Sequence, residues 1–146
     1  MTMQSNRIFV DTNVLIYRTF ELFDNEKHQS VKNQFLQMNQ SAKTLCVSQQ
    51  VLREFFAIST NHKFFDTPLT TAEACQMMQE FSKVFEILPD APISLLVSLL
   101  RKYEISKQKI HDTNLVATMI HSGVSELYTF NIKDFKQFSE IQLVSE

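Results

Sequence analysis

Short apolar runs recur along the chain, separated by longer stretches in which apolar residues return every three or four positions. Arg7-Ile8-Phe9-Val10 is continuously apolar after its first residue and rich in strand formers, which predicts a central strand covered on both faces. Ile16, Phe20 and Phe23 then follow at helical spacing, and Val31, Phe35 and Met38 do so again beyond the polar break Asp24-Asn25-Glu26. Two helices are therefore expected before the next strand, Thr44 to Val47. Ser48 is placed to cap a helix carrying Val51, Leu52, Phe55, Phe56 and Ile58, and Pro68 with Thr70 opens another, marked by Ala74, Met77, Met78, Phe81 and Val84. Phe85 to Leu88, stopped by Pro89, predicts a third strand. Pro92 suits the first turn of a helix with Ile93, Leu96, Val97, Leu100 and Tyr103 on its stripe, and one more helix is expected from about Asp112 to Ser122. Gly123, the only glycine, follows it where a left-handed residue ends a helix. Leu127 to Phe130 and Ile141 to Val144 complete the pattern as short strands.

Helices that separate short strands require crossover connections, so the chain predicts an α/β domain with a mainly parallel sheet of four to five short strands and helices on both faces. Ligands of such sheets gather beyond the C-terminal strand ends, where Asp11 and Asn131 lie. With 146 residues, 44% apolar and 21% charged, and no low-complexity or repeated tract, residues 1–146 are expected to form one domain. The polar start, Met1 to Arg7, and the lack of any apolar stretch near the ~20 residues of a membrane span point to a cytoplasmic protein without a membrane role. Cys46 and Cys75 sit among apolar neighbours without metal spacing and are expected as buried thiols. A formal charge of -2 argues against wholesale electrostatic capture of nucleic acid and leaves room for a local basic patch.

Four acids draw attention. Asp11, in "VDTNVLIY", is either a helix cap or a catalytic group at a strand end. Glu54 falls at the border of the Val51, Phe55, Ile58 stripe. Asp112, in "IHDTNLVATMI", precedes Leu115, Val116 and Met119 by helical spacings and so projects with the buried stripe. Burying an unpaired carboxylate costs several kcal/mol, so an inward Asp112 needs hydrogen bonds, a positive partner or a metal ion. If Asp11, Glu54 and Asp112 converge, their repulsion raises their pKa values unless a cation compensates, and Mg²⁺ or Mn²⁺ suits oxygen ligands. In "YTFNIKDF", Thr129 and Asn131 offer neutral oxygens, while Asp134 either adds charge or caps a turn carrying Phe135 and Phe138.

Taken in order, "FVDTNVLIY", "VLREFF", "HDTNLVATM" and "YTFNIKDF" resemble a PIN-domain ribonuclease, in particular the VapC-type toxin of bacterial toxin-antitoxin pairs. The resemblance spans nearly the whole chain. It implies a three-layer α/β/α domain in which Asp11, Glu54 and Asp112 hold Mg²⁺ or Mn²⁺, with Asn131 and Asp134 supporting the catalytic set. It further implies hydrolysis of RNA, transfer RNA or another structured RNA, to 5′-phosphate and 3′-hydroxyl ends, and a cognate antitoxin as partner. One departure concerns the fourth acid that the family often carries after the fourth strand. This chain has Asn131 there, so either Asn131 acts neutrally or Asp134 replaces the acid.

On this reading Asn13 and Thr129 contact substrate, and Lys107 and Lys109, with Arg101 and Lys102, line an entrance for RNA; the competing reading is a solvated helix end. A phosphoacceptor receiver module would want an acidic pair after the first strand and an Asp after a middle strand, and "TLCVSQQ" has none. A degenerate, non-catalytic PIN-like module that binds a partner remains the alternative. The arc Val14, Leu15, Ile16, Tyr17, Phe20, Leu22 and Phe23 is wider than one core-facing stripe, so a homodimer is also expected.

Overall fold

The computed structural model describes residues 6–144, so most of the Met1 to Arg7 lead lies outside the described residues. The strands are β1 (Arg7–Val10), β2 (Thr44–Ser48), β3 (Glu86–Leu88), β4 (Glu126–Tyr128) and β5 (Gln142–Leu143). Between them run α1 (Thr12–Thr19), α2 (Asn25–Gln40), α3 (Gln49–Ser59), α4 (Thr71–Val84), α5 (Ile93–Lys102), α6 (Lys109–His121) and α7 (Ile132–Phe135). The strands form one sheet in the order β3-β2-β1-β4-β5, with every pairing parallel. Phe9 aligns with Cys46 on one side and Leu127 on the other. All three side chains are fully buried, which is why the first strand reads as an uninterrupted apolar run.

Strand order also locates the site. From β1 to β3 each crossover moves one way across the sheet, and from β3 through β4 to β5 the chain moves the other way. Right-handed crossovers place α1 to α4 on one face and α5 to α7 on the other. Packing follows that division, α1 against α2 and α3, α3 against α4, and α5 against α6. The direction reverses between β1 and β4, and a crevice opens beyond their C-terminal ends.

Local chemistry starts and stops the helices where residue type suggests. The Asp24 side chain accepts from Lys27 N and that of Ser48 from Val51 N, while Thr70 and Glu73 form a reciprocal capping box. Gly123 takes φ +72°, and the Val124 amide donates back to the Met119 carbonyl, closing α6 as expected.

Several expectations are corrected. α1 ends at Thr19, so Phe20 and Phe23 belong to the following turn and not to the helix. α6 starts at Lys109, about a turn before Asp112, after a segment in which Glu104 and Lys107 adopt positive φ. Asp134 lies inside α7 and does not cap it. Cys46 is buried, but Cys75 is exposed on α4. Val14, Leu15 and Ile16 are consumed by the chain's own core, which narrows the apolar arc; Leu22 and Phe23 remain exposed. Among the described residues no helix is long and apolar enough to cross a membrane.

Candidate active site

β1 delivers Asp11 to the crevice, and α1 begins one residue later, so the two readings of this residue are not exclusive. Its side chain accepts from the Thr12 amide at 2.8 Å as an N-cap, and its other oxygen accepts from Thr129 Oγ1 at 2.8 Å and Asn13 Nδ2 at 3.1 Å. Asn13 also accepts from the Phe130 amide at 3.0 Å, and the Asn131 amide donates to Thr129 Oγ1 at 3.0 Å. The ends of β1 and β4 are thereby laced together around one carboxylate. Asp11 is 7% exposed and its pKa is pushed up to about 6, chiefly by burial. The donated hydrogen bonds oppose that rise, and the nearby charges of Glu54 and Asp112 add to it.

Glu54 enters from α3. Gln50 Nε2 donates to its Oε1 at 3.1 Å, and Thr12 Oγ1 lies 3.2 Å from both its Oε2 and the Val51 carbonyl. Gln50 also donates to the His111 carbonyl at 2.8 Å and accepts from Asn114 Nδ2 at 2.7 Å, so one buried amide ties α3 to the start of α6. Asp112 stands there, half-buried. Burial raises its pKa most, Lys109 opposes the rise, and Asp134 and Glu54 add to it.

Asp11, Glu54, Asp112 and Asn131 line one cavity of about 230 Å³, together with Thr12 and Asn13. Thr129 stands beneath it, bonded to Asp11. Asp134 and Lys107 do not line it; both are exposed. Lys109 is turned toward acids, with Nζ 3.2 Å from Asp112 Oδ2 and 3.8 Å from Asp134 Oδ1, and it donates to the Asp134 carbonyl. Lys102 is paired with Glu140 at 2.7 Å, so the four basic residues do not act as one cluster.

Does this donor set suit a divalent ion? Among the described residues no three His, Cys, Asp or Glu side chains close on a common point tightly enough to hold a metal ion as they stand. The chemistry nevertheless fits: three carboxylates face one cavity, and Asp11, whose pKa burial chiefly raises, also feels a smaller repulsion from Glu54 and Asp112. A hard dication relieves that repulsion; the Lys109 ammonium does so in part, and only at Asp112.

Thr12, Gln50 and Asn114 are site residues that sequence reasoning passed over. A signal for two of them existed, since Asp11-Thr12-Asn13 and Asp112-Thr113-Asn114 repeat one tripeptide at two helix starts. Nothing in the sequence marks Gln50, whose importance lies in spanning two helices. The aromatic side of the cavity, Tyr17, Phe23, Phe64 and Phe65, was likewise unforeseen, because Phe64 and Phe65 come from a connection far along the chain.

Comparison with known proteins places this geometry in context. The family model for the PIN domain matches residues 8–141. Ribonuclease VapC24 of Mycobacterium tuberculosis is 29% identical over 132 residues, covering 88% of this chain and 89% of that protein. Among solved structures, VapBC2 from Rickettsia felis, bound to a DNA fragment from its promoter, superposes with a TM-score of 0.65 at 19% identity, covering 94% of this chain and 97% of that one. VapC20 of Mycobacterium tuberculosis, a toxin that cleaves the sarcin-ricin loop, gives 0.60 at 17% identity, with 92% and 98% covered. At these identities the structural likeness shows a shared fold.

Proposed function

The chain belongs to the PIN domain family, and from that premise we propose that it is a divalent-metal-dependent endoribonuclease, the VapC-type toxin of a toxin-antitoxin pair. Its nuclease domain is residues 1–146, its substrate a structured RNA such as transfer RNA, and its protein partner a cognate antitoxin. The observation that supports the reading is the cavity at the strand reversal, which Asp11, Glu54 and Asp112 line together and in which burial pushes Asp11 up to about 6. Relatives named as a ribonuclease and as an RNA-loop-cleaving toxin support it.

Hydrolysis with water forms a new phosphorus–oxygen bond and breaks the bond to the 3′-oxygen, leaving a 5′-phosphate and a 3′-hydroxyl. Mg²⁺ or Mn²⁺, when bound, neutralises the phosphate and acidifies the attacking water. Asp11 and Asp112 are the principal ligands. Glu54, its two oxygens fixed by Gln50 and Thr12, serves as ligand or orients water. Thr12, Asn13 and Thr129 hold the Asp11 carboxylate in one orientation, so little reorganisation accompanies the reaction. Asn131 supports at the rim, and Asp134 acts from outside the cavity through Lys109.

A second reading, a degenerate partner-binding module, is favoured by the Lys109–Asp112 pair and by Asn131 in the place of an acid. Incubation of the purified protein with RNA in Mn²⁺ decides between them. Cleavage that disappears with EDTA, with Asp11→Asn and with Asp112→Asn is the expected result. RNA left intact by the wild type, together with Mn²⁺ affinity unchanged by Asp11→Asn, selects the degenerate module.

A further inference from the structure

The acid-lined cavity is polar on one side only. Facing the carboxylates are Tyr17, Phe23, Phe64, Phe65 and Ile58, and a second hollow of about 700 Å³ shares Phe23, Phe64 and Phe65, so an aromatic wall runs outward from the acids without a break. Part of this wall is core. Phe65 is buried, stacked on Phe20 with centroids 3.8 Å apart at 8°, and meets Phe23 edge-on at 4.9 Å. Phe23 and Phe64, by contrast, are 51% and 52% exposed. Tyr17 braces the wall from behind, stacked on Phe23 at 6.0 Å and edge-on to Phe130 at 5.0 Å.

We propose that Phe64 and Phe23 form a stacking subsite for the nucleobase next to the cleaved phosphodiester, an inference that rests on the endoribonuclease reading. A base is joined to its phosphate through a single ribose, so a phosphodiester held at the carboxylates brings its base against the other wall of the same cavity. Every base offers a π-face, and an exposed phenylalanine ring is its natural platform. Charge argues the same way. Glu21 and Asp66 border the outer hollow, which repels phosphate but accepts a neutral base. Lys27 lies on the other flank, its ammonium 4.9 Å from the Tyr17 centroid and 5.7 Å from that of Phe130, with a side chain 42% exposed. Lys27 is also paired with Asp24 at 3.7 Å, so it offers a backbone phosphate one shared contact while bases turn to the rings.

The subsite is tested by equilibrium binding of the full-length protein in Ca²⁺, which neutralises the carboxylates. Two labelled ligands of equal charge are compared, a mixed-sequence single-stranded RNA of twelve nucleotides and a twelve-unit abasic phosphodiester. Wild type is expected to bind RNA about tenfold tighter than the abasic chain, the effect of stacking one base. Phe64→Ala is expected to reduce that ratio below about threefold without weakening abasic binding, and Phe64→Trp to restore it. Phe23→Ala repeats the measurement should Phe64→Ala prove unstable by circular dichroism. Equal affinity of wild type for both ligands, no binding of either, or an equal loss for both in Phe64→Ala overturns the subsite. So does unchanged RNA binding in Phe64→Ala; if that variant also fails to capture a co-expressed antitoxin, the wall serves a protein segment. Cleavage of the RNA in Mn²⁺ is scored separately: base-dependent binding without cleavage strikes the nuclease reading alone, and cleavage with base-independent binding strikes the stacking subsite alone.

Discussion

Asp11 shows how one side chain serves folding and chemistry in conflict with itself. Its folded pKa of about 6 lies above the ordinary 3.8, so between those values the folded state binds more protons than the unfolded chain. Stability from this group is therefore complete below about pH 4, falls as pH rises toward 6, and is flat above. Two units correspond to about 3 kcal/mol at ~1.4 kcal/mol each. Asp11→Asn removes the charge but also turns one of the two accepting oxygens into an NH2 donor, a loss that does not vary with pH, since Thr12, Asn13 and Thr129 all donate to this side chain. The unfolding free energy of the metal-free variant relative to wild type should accordingly rise by about 1–3 kcal/mol between pH 4 and pH 7.5. A relative stability that does not change between pH 4 and pH 7.5 would place the buried charge elsewhere.

Among elements, the contact that sets the site is the α3–α6 junction, where Gln50 carries three hydrogen bonds. Replacing it by leucine leaves the His111 carbonyl and the Asn114 amide without their partner and leaves Glu54 held by Thr12 alone. Leaving buried polar groups unpaired costs about 1–3 kcal/mol. Gln50→Leu should lower the unfolding free energy by that amount, read as a lower urea midpoint with an unchanged slope, and lower RNA cleavage beyond what the stability loss explains. A variant as stable and active as wild type would mean that the two helices are held by apolar packing alone.

Across the whole molecule the charge balance is slightly negative, and the basic residues nearest the site are mostly engaged with acids. RNA affinity must then come from few phosphate contacts. For single strands the salt slope is about -0.7 per neutralised phosphate, so Lys27, itself shared with Asp24, gives a log-log slope no steeper than about -1. A slope steeper than about -4, measured by anisotropy from 50 to 300 mM KCl, would reveal a broad basic surface that these residues do not form.

What the sequence determined by itself was the local order: apolar runs for buried strands, helical spacing, Ser48 and Thr70 as caps, Gly123 at a helix end. These depend on neighbours a few positions away, so residue type is enough to read them. The family motifs likewise marked Asp11, Glu54 and Asp112, and the strand reversal beside β1 explains why those three share a cavity. Only tertiary structure decided which groups surround them. Gln50 matters because two helices cross at it, Lys109 because α6 starts a turn early and carries its ammonium to Asp112 and Asp134, and Phe64 because a distant connection folds back over α1. Hydrogen bonds and Coulomb forces act over a few ångströms of space, and separation along the chain does not encode that distance.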